Sequence, residues 1–254
     1  MNKITLITGA TSGIGQATAE KFAQNKHDLI ITGRRTDRLE NIAGELGSKY
    51  GISIFPAAFD IRHRGEVDEF IKNLPDEWKN IKILINNAGL AAGLDPIQEG
   101  NIDDWEQMID TNIKGLLYIT RAVAPMMIEQ GGGHIINIGS IAGREVYASG
   151  NVYCATKHAV DALTKGMRID LLPYGIKVTQ IAPGLVETEF SIVRLKGDTD
   201  RAKKVYAGYD PLTGKDIAEA IYFATTLPEH VNINDLLIMP TAQANATTVF
   251  KKKH

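Results

Sequence analysis

A short β-branched run at 4–8, Ile-Thr-Leu-Ile-Thr, passes directly into Gly9-Ala10-Thr11-Ser12-Gly13-Ile14-Gly15. A helical pattern then continues to about Asn25, with Ile14, Ala17, Thr18 and Phe22 recurring at helical spacing. A buried strand, a glycine turn and a helix in succession make a cradle for an anion. The glycines let the backbone approach a pyrophosphate, and free N–H groups at the helix N-terminus receive its charge. Gly9, Ser12, Gly13, Ile14 and Gly15 are therefore candidate cofactor-binding residues. The spacing is G-x-x-x-G-x-G rather than the general G-x-G-x-x-G fingerprint, so on its own the segment also reads as a plain tight turn.

The rest of the chain alternates strands with helices. Strands are expected at 28–32, 52–59, 81–85, 134–138, 176–181 and 236–239, and helices over 37–47, from near Arg64, over 102–127, through Tyr153 to about Leu172, and over 215–227. With 254 residues, 44% of them hydrophobic, this fits one α/β domain spanning 1–254. A net charge of −2 gives no basic field for nucleic acid or anionic membrane. Residues 241–254 read as a tail, with the basic run at 251–253 solvated. No stretch is long and apolar enough for a membrane span, and the N-terminal apolar run is too short for a signal segment. The single cysteine, Cys154, excludes an intramolecular disulfide and fits a reducing, cytoplasmic compartment. The histidines show no metal-ligand spacing, so no metal is expected.

Several strand ends carry chemistry. The second strand ends in Gly33-Arg34-Arg35 with no acid before Asp37. An acid there would hold the ribose 2′-hydroxyl of NAD, whereas arginine suits the 2′-phosphate of NADP. Two cations at a helix start are unfavourable without an anionic partner. The third strand closes on Asp60, which either meets an adenine amino group or caps the helix beginning near Arg64. The fourth leads into Asn86-Asn87-Ala88-Gly89. Asn112 lies inside the 102–127 helix, where asparagine competes for backbone groups, so a bend or interruption is expected at that point. Ser140 follows the fifth strand. Thirteen residues on comes Tyr153, and four further Lys157. Positions i and i+4 share a helix face, so the ammonium of Lys157 is expected beside the phenol of Tyr153. There it lowers the phenol from its usual pKa near ~10 and makes it a general acid/base.

Taken together, TGATSGIG at 8–15, NNAG at 86–89, Asn112, Ser140 and YCATK at 153–157 resemble the short-chain dehydrogenase/reductase family over nearly the whole chain. The resemblance implies a doubly wound, Rossmann-type parallel sheet of about seven strands, order 3-2-1-4-5-6-7, with helices on both faces. It implies Tyr153 as catalytic acid/base, Lys157 lowering its pKa and binding the nicotinamide ribose, and Ser140 on the reacting oxygen. Asn112 would hold a water in a proton relay through Lys157. Gly9, Ser12, Ile14 and Asn87 would line the cofactor, with Val186 and Thr188 at its carboxamide end. Homotetramers or dimers are usual in the family, and a homotetramer is expected.

GNVYCATK at 150–157, PGLVETEFSIVRLKGD at 183–198, VYAGYDPL at 205–212 and LPEHVNINDLLIMPTAQA at 227–244 resemble one subgroup, the NADP-dependent 3-hydroxy acid dehydrogenases. That implies NADP and short 3-hydroxy acids such as serine, allo-threonine or 3-hydroxyisobutyrate. The alternatives are a carbonyl reductase for neutral ketones or aldehydes and a non-catalytic NADP(H)-sensing protein. A substrate carboxylate needs a positive partner. Arg194 is the leading candidate, with Lys196 and Arg144 behind it. The segment at about 185–212 lacks a sheet pattern and suits a substrate lid, with a short helix near 198–207. Cys154 reads as packing.

Overall fold

The computed structural model describes residues 3–252; the sequence readings at residues 1–2 and 253–254 lie outside them. The elements run β1 (Ile4–Ile7), α1 (Gly13–Gln24), β2 (Asp28–Gly33), α2 (Thr36–Tyr50), β3 (Ile54–Ala58), α3 (Arg64–Lys72), β4 (Ile81–Asn86), α4 (Ile102–Ile109), α5 (Leu116–Glu129), β5 (Gly133–Ile138), α6 (Asn151–Asp170), β6 (Ile176–Pro183), β7 (Val186–Glu187), α7 (Phe190–Arg194), α8 (Thr199–Tyr206), β8 (Leu212–Thr213), α9 (Gly214–Thr226) and β9 (Asp235–Ile238). Seven strands pair in the order β3-β2-β1-β4-β5-β6-β9, and every pairing is parallel.

Both faces of the sheet are covered, which is why its strands read as near-continuous apolar runs. Side chains alternate between two cores. Ile7, Leu29, Ile31, Ile85 and Ile136 pack with Phe22, Leu39 and Ile217 on one face. Leu6, Ile30, Leu84 and Ile135 pack with Val67, Ile119, Val123 and Met127 on the other. Because all strands are parallel, their carboxyl ends share one edge. That edge gathers Gly9, Arg34, Asp60, Asn87, Ser140 and Gly184 around a single cavity.

Four local expectations change. Helix α2 does not stop at Gly47 but runs to Tyr50, because Gly51 takes the left-handed cap at φ 60. The third strand is shorter than 52–59 and contains Pro56; it lies at the sheet edge, where a missing N–H costs little. By contrast, the interruption expected at Asn112 is there, as a π-helical turn at Asp110–Gly115 between α4 and α5. Three short elements went unseen between 185 and 213: α7, and the strands β7 and β8, which pair as a two-stranded parallel ladder. The chain after 241 is not simply a tail. Gln243 is buried, its Oε1 accepts from the Leu185 N–H, and the Lys252 N–H donates to the Gly208 carbonyl.

Two buried histidines give the fold an acid limit. His27 packs edge-on to Phe22 and shares a hydrogen bond with Thr5 Oγ1 at 2.9 Å. Burial, aided by Lys3, pushes it down to about 4. His134 pairs with Thr179 Oγ1 at 2.8 Å, and burial, aided by Lys177, pushes it down to about 3. The unfolded chain protonates both rings near pH ~6.5, so below that pH it binds more protons than the fold does. Stability is then lost as pH falls from about 6.5 toward 4, by up to about 1.4 kcal/mol per pH unit for each ring. Denaturant titrations at pH 7.5 and 4.5 check this. His134→Gln should lose less stability over that interval than the wild type, and an equal loss in both proteins would refute the assignment.

Candidate active site

The cavity at the carboxyl edge has a volume of about 590 Å³. Its floor on the α1 side is the glycine turn. Gly9 and Gly13 hold φ of 66° and 57°, which side chains rarely adopt. A Cβ on Gly9 would lie 2.9 Å from Ala88 Cα, and one on Gly15 would lie 2.3 Å from the Gly9 carbonyl oxygen. Ser12 precedes α1 without capping it through its side chain, so the first-turn N–H groups face the cavity free of a side-chain acceptor. Asn87 lines the cavity, but its amide donates to the Thr8 carbonyl at 2.8 Å and the Gly9 carbonyl at 3.1 Å. It therefore fixes the shape of the turn.

The arginines separate. Arg34 is exposed and lines the cavity. Arg35 donates from Nε and Nη2 to Thr11 Oγ1 at 3.1 and 2.7 Å, and from Nη2 to Ser12 Oγ at 2.9 Å. Asp60 neither caps α3, whose cap position is His63, nor stands free. It takes a two-pronged pair from Arg62. Burial works to raise its carboxyl, but Arg62, with help from Arg34, holds it below the usual range. It still faces the cavity.

Across the cleft, α6 presents Tyr153 and Lys157, both 8% exposed, on one face as the spacing predicts. Lys157 Nζ lies 6.0 Å from the Tyr153 ring centre and donates to the Ile138 carbonyl at 2.9 Å. The expected lowering of the phenol by Lys157 is absent from this structure. Burial raises Tyr153, with Tyr147 adding to the effect, and the Ser140 hydrogen bond and Arg194 charge only oppose it. Burial also pushes Lys157 down to about 8. Desolvation outweighs the pairing because the ammonium is turned to a carbonyl instead of to the phenol oxygen.

Ser140 caps the turn Ile141–Gly143, its Oγ accepting from the Ala142 N–H at 3.1 Å. Asn112 is buried beneath the site. Its amide donates to the Leu90 carbonyl at 2.8 Å and to Thr156 Oγ1 at 3.0 Å, and its oxygen accepts from the Leu90 N–H at 2.8 Å. A Cβ on Gly89 would lie 3.2 Å from that oxygen and 3.7 Å from Lys157 Nζ, so NNAG, Asn112 and Lys157 meet at one point.

Of the three candidate carboxylate partners, only Arg194 belongs to the site. Its guanidinium carbon sits 5.3 Å from the Tyr147 ring centre and 5.4 Å from that of Tyr153. Nη1 donates to the Tyr147 hydroxyl at 2.8 Å, while Nη2 is buried and has no hydrogen-bond partner. Lys196 is drawn off by Asp104 at 2.8 Å, and Arg144 is paired with Asp235. Thr188 lies over Gly13 and its Oγ1 accepts from the Phe190 N–H; Val186 lines the same wall. Cys154 is buried in a small apolar cluster with Leu90 and Met108, as packing requires. The sequence reading missed Tyr147, Phe190 and Glu189. Nothing in their spacing marks them, since loops and short helices bring them in. No group of residues suited to a metal occurs among the described residues.

Residues 3–197 match the family described as short chain dehydrogenase. The NADP-dependent 3-hydroxy acid dehydrogenase YdfG of Escherichia coli O6:H1 is 50% identical over 244 residues, covering 96% of this chain and 97% of its own. Sulfoacetaldehyde reductase 2 of Chromohalobacter salexigens is 46% identical over 245 residues, with 96% of each chain covered. Among solved structures, the closed form of serine dehydrogenase complexed with NADP+ superposes with a TM-score of 0.92 at 48% identity, covering 98% of this chain and 100% of that one.

Proposed function

This chain belongs to the short-chain dehydrogenase family, and from that premise we propose that it transfers a hydride between NADP(H) and the 3-hydroxyl or 3-oxo group of a short 3-hydroxy acid such as serine, allo-threonine or 3-hydroxyisobutyrate. The observation that carries the substrate class is the buried, unpartnered Nη2 of Arg194 between Tyr147 and Tyr153. A buried guanidinium donor left open costs free energy until an anion meets it, and a carboxylate two carbons from the reacting carbon reaches it from beside Tyr153. Homology to YdfG and to serine dehydrogenase supports the same class.

The residues present fit NADP(H). The glycine cradle admits a pyrophosphate to the N-terminus of α1, and Arg34 and Arg35 stand where a 2′-phosphate is read. When bound, the cofactor supplies the hydride acceptor or donor. In our reading Tyr153 takes the proton of the 3-hydroxyl at its phenol oxygen during oxidation and returns it during reduction. Ser140 donates to the same substrate oxygen. Lys157 holds its ammonium within the pocket and binds the cofactor's ribose. Asn112, with both amide hydrogens engaged, positions the Leu90 and Thr156 backbone and side chain beneath Lys157. Tyr147 and Phe190 exclude water. The segment 185–212 serves as the lid of one domain spanning 1–254. Exposed apolar side chains on α4, α5, α6 and α9, among them Ile109, Leu117, Ile169 and Phe223, support assembly as a homotetramer, and a cytoplasmic location suits a free thiol.

The test is formation of NADPH, followed by absorbance, with NADP+ or NAD+ and each of serine, allo-threonine, 3-hydroxyisobutyrate and a neutral alcohol of matched size. Turnover of NADP+ with the acids is expected. Turnover of the neutral alcohol alone would replace this reading with a carbonyl reductase for neutral substrates. Tight NADPH binding without turnover of any of them would favour a cofactor sensor.

A further inference from the structure

Glu189 lies within the lid, just before α7, and its side chain reaches the cofactor-side wall. Its Oε2 lies 3.0 Å from Arg35 Nη1 and its Oε1 2.8 Å from Arg38 Nη1. The two carboxylate oxygens thus take one donor from each of two guanidinium groups. Arg35 is the same residue that grips Thr11 and Ser12 of the glycine turn. All three charged side chains remain close to half exposed, so this is a clasp at the mouth of the cleft that a stronger anion can enter. Arg38 lies one turn into α2 behind Arg35, which is why the strand-end pattern alone did not mark it.

We propose that Glu189 is an internal stand-in for the 2′-phosphate, which must be displaced from Arg35 and Arg38 when NADP(H) binds. The inference rests on the reading that Arg35 selects NADP(H). A phosphate offers three strong acceptor oxygens and about twice the charge of a carboxylate, so it outcompetes Glu189 for the same donors and repels it as it arrives. A dinucleotide without the 2′-phosphate leaves the clasp closed. Glu189 is then a specificity-determining residue that weakens the binding of NADP(H). Arg38 first, and then Arg35 against the cost of burial, hold the Glu189 carboxyl below its usual range, so the competing charge persists at neutral pH.

Equilibrium binding of NADP+, NAD+ and adenosine 2′,5′-bisphosphate to wild-type protein and to Glu189→Gln, measured by calorimetry, tests the proposal. Because exposed pairs of this kind are weak, NADP+ and the bisphosphate should bind Glu189→Gln about three- to tenfold more tightly, with NAD+ unchanged. Unchanged or weaker NADP+ binding in the variant, or an equal gain for NAD+, overturns the stand-in role while leaving the cofactor reading intact. A wild type that binds NADP+ no better than NAD+ overturns the cofactor reading, and this inference with it.

Discussion

Replacing Tyr153 by phenylalanine will lower kcat by about 10²- to 10⁴-fold, the usual contribution of a positioned general acid/base, and will leave NADPH affinity near that of the wild type. The variant removes one oxygen and keeps the ring, which is 8% exposed and packs against Phe190 with centres 5.6 Å apart. The fold therefore has no reason to change, and a matching thermal unfolding curve would establish that. What disappears is the phenol oxygen, which lies beside Ser140. Steady-state rates together with NADPH fluorescence titration separate the two effects. Activity within a few-fold of wild type would remove Tyr153 from the chemistry. The pH profile carries further information. Burial sets Lys157 at about 8, so above that pH the free enzyme loses its pocket ammonium. Here kcat/KM for the reductive direction should decline above about pH 8. Since the lysine and the phenol share one pocket, the apparent value belongs to the pair.

Replacing Arg194 by alanine will raise KM for serine or 3-hydroxyisobutyrate by about 10- to 150-fold, corresponding to the ~1.5–3 kcal/mol of a hydrogen bond to a charged group. The rate with a neutral alcohol will change little. Arg194 is held by its Nη1 bond to the Tyr147 hydroxyl, by the Gly93 N–H bonded to its own carbonyl, and by stacking near both tyrosine rings. The guanidinium is thus set in place before substrate arrives, with one donor left open. Arg194→Lys should recover only part of the affinity, because an ammonium lacks the planar fork and the stacking surface. Equal losses on the acid and on the neutral alcohol would mean that Arg194 supports the pocket wall and does not meet a carboxylate.

The chain's alternation of apolar runs with helical patterns carried the seven strands of the main sheet and the longer helices that cover it. These properties come from periodicities of two and 3.6 residues and from burial of both faces of the sheet, which local composition records. The glycine turn was legible for the same reason: Gly9 and Gly13 hold backbone angles that few other residues accept. The spacing of Tyr153 and Lys157 correctly put both on one face of α6, and Asn112 correctly marked an interruption of its helix. Where α2 ends escaped the reading, since Gly47 and Gly51 are equally plain as glycines and only the left-handed angle at Gly51 chooses between them.

Charge and solvation were beyond reach of the sequence. A helix spacing says that an ammonium and a phenol are neighbours; it does not say that Lys157 turns to the Ile138 carbonyl, or that burial raises one group and lowers the other. The three cations Arg144, Lys196 and Arg194 looked alike along the chain. Only tertiary packing, by pairing the first with Asp235 and the second with Asp104, left Arg194 with a donor facing the site. Glu189 and Arg35, 154 positions apart, meet for the same reason. The sequence by itself determined the framework and which residue types stand at each strand end, because those follow from local periodicity and backbone sterics. The tertiary structure decided which charges are paired, buried or open, because Coulomb energy and desolvation depend on distance and on water excluded by residues remote in the chain.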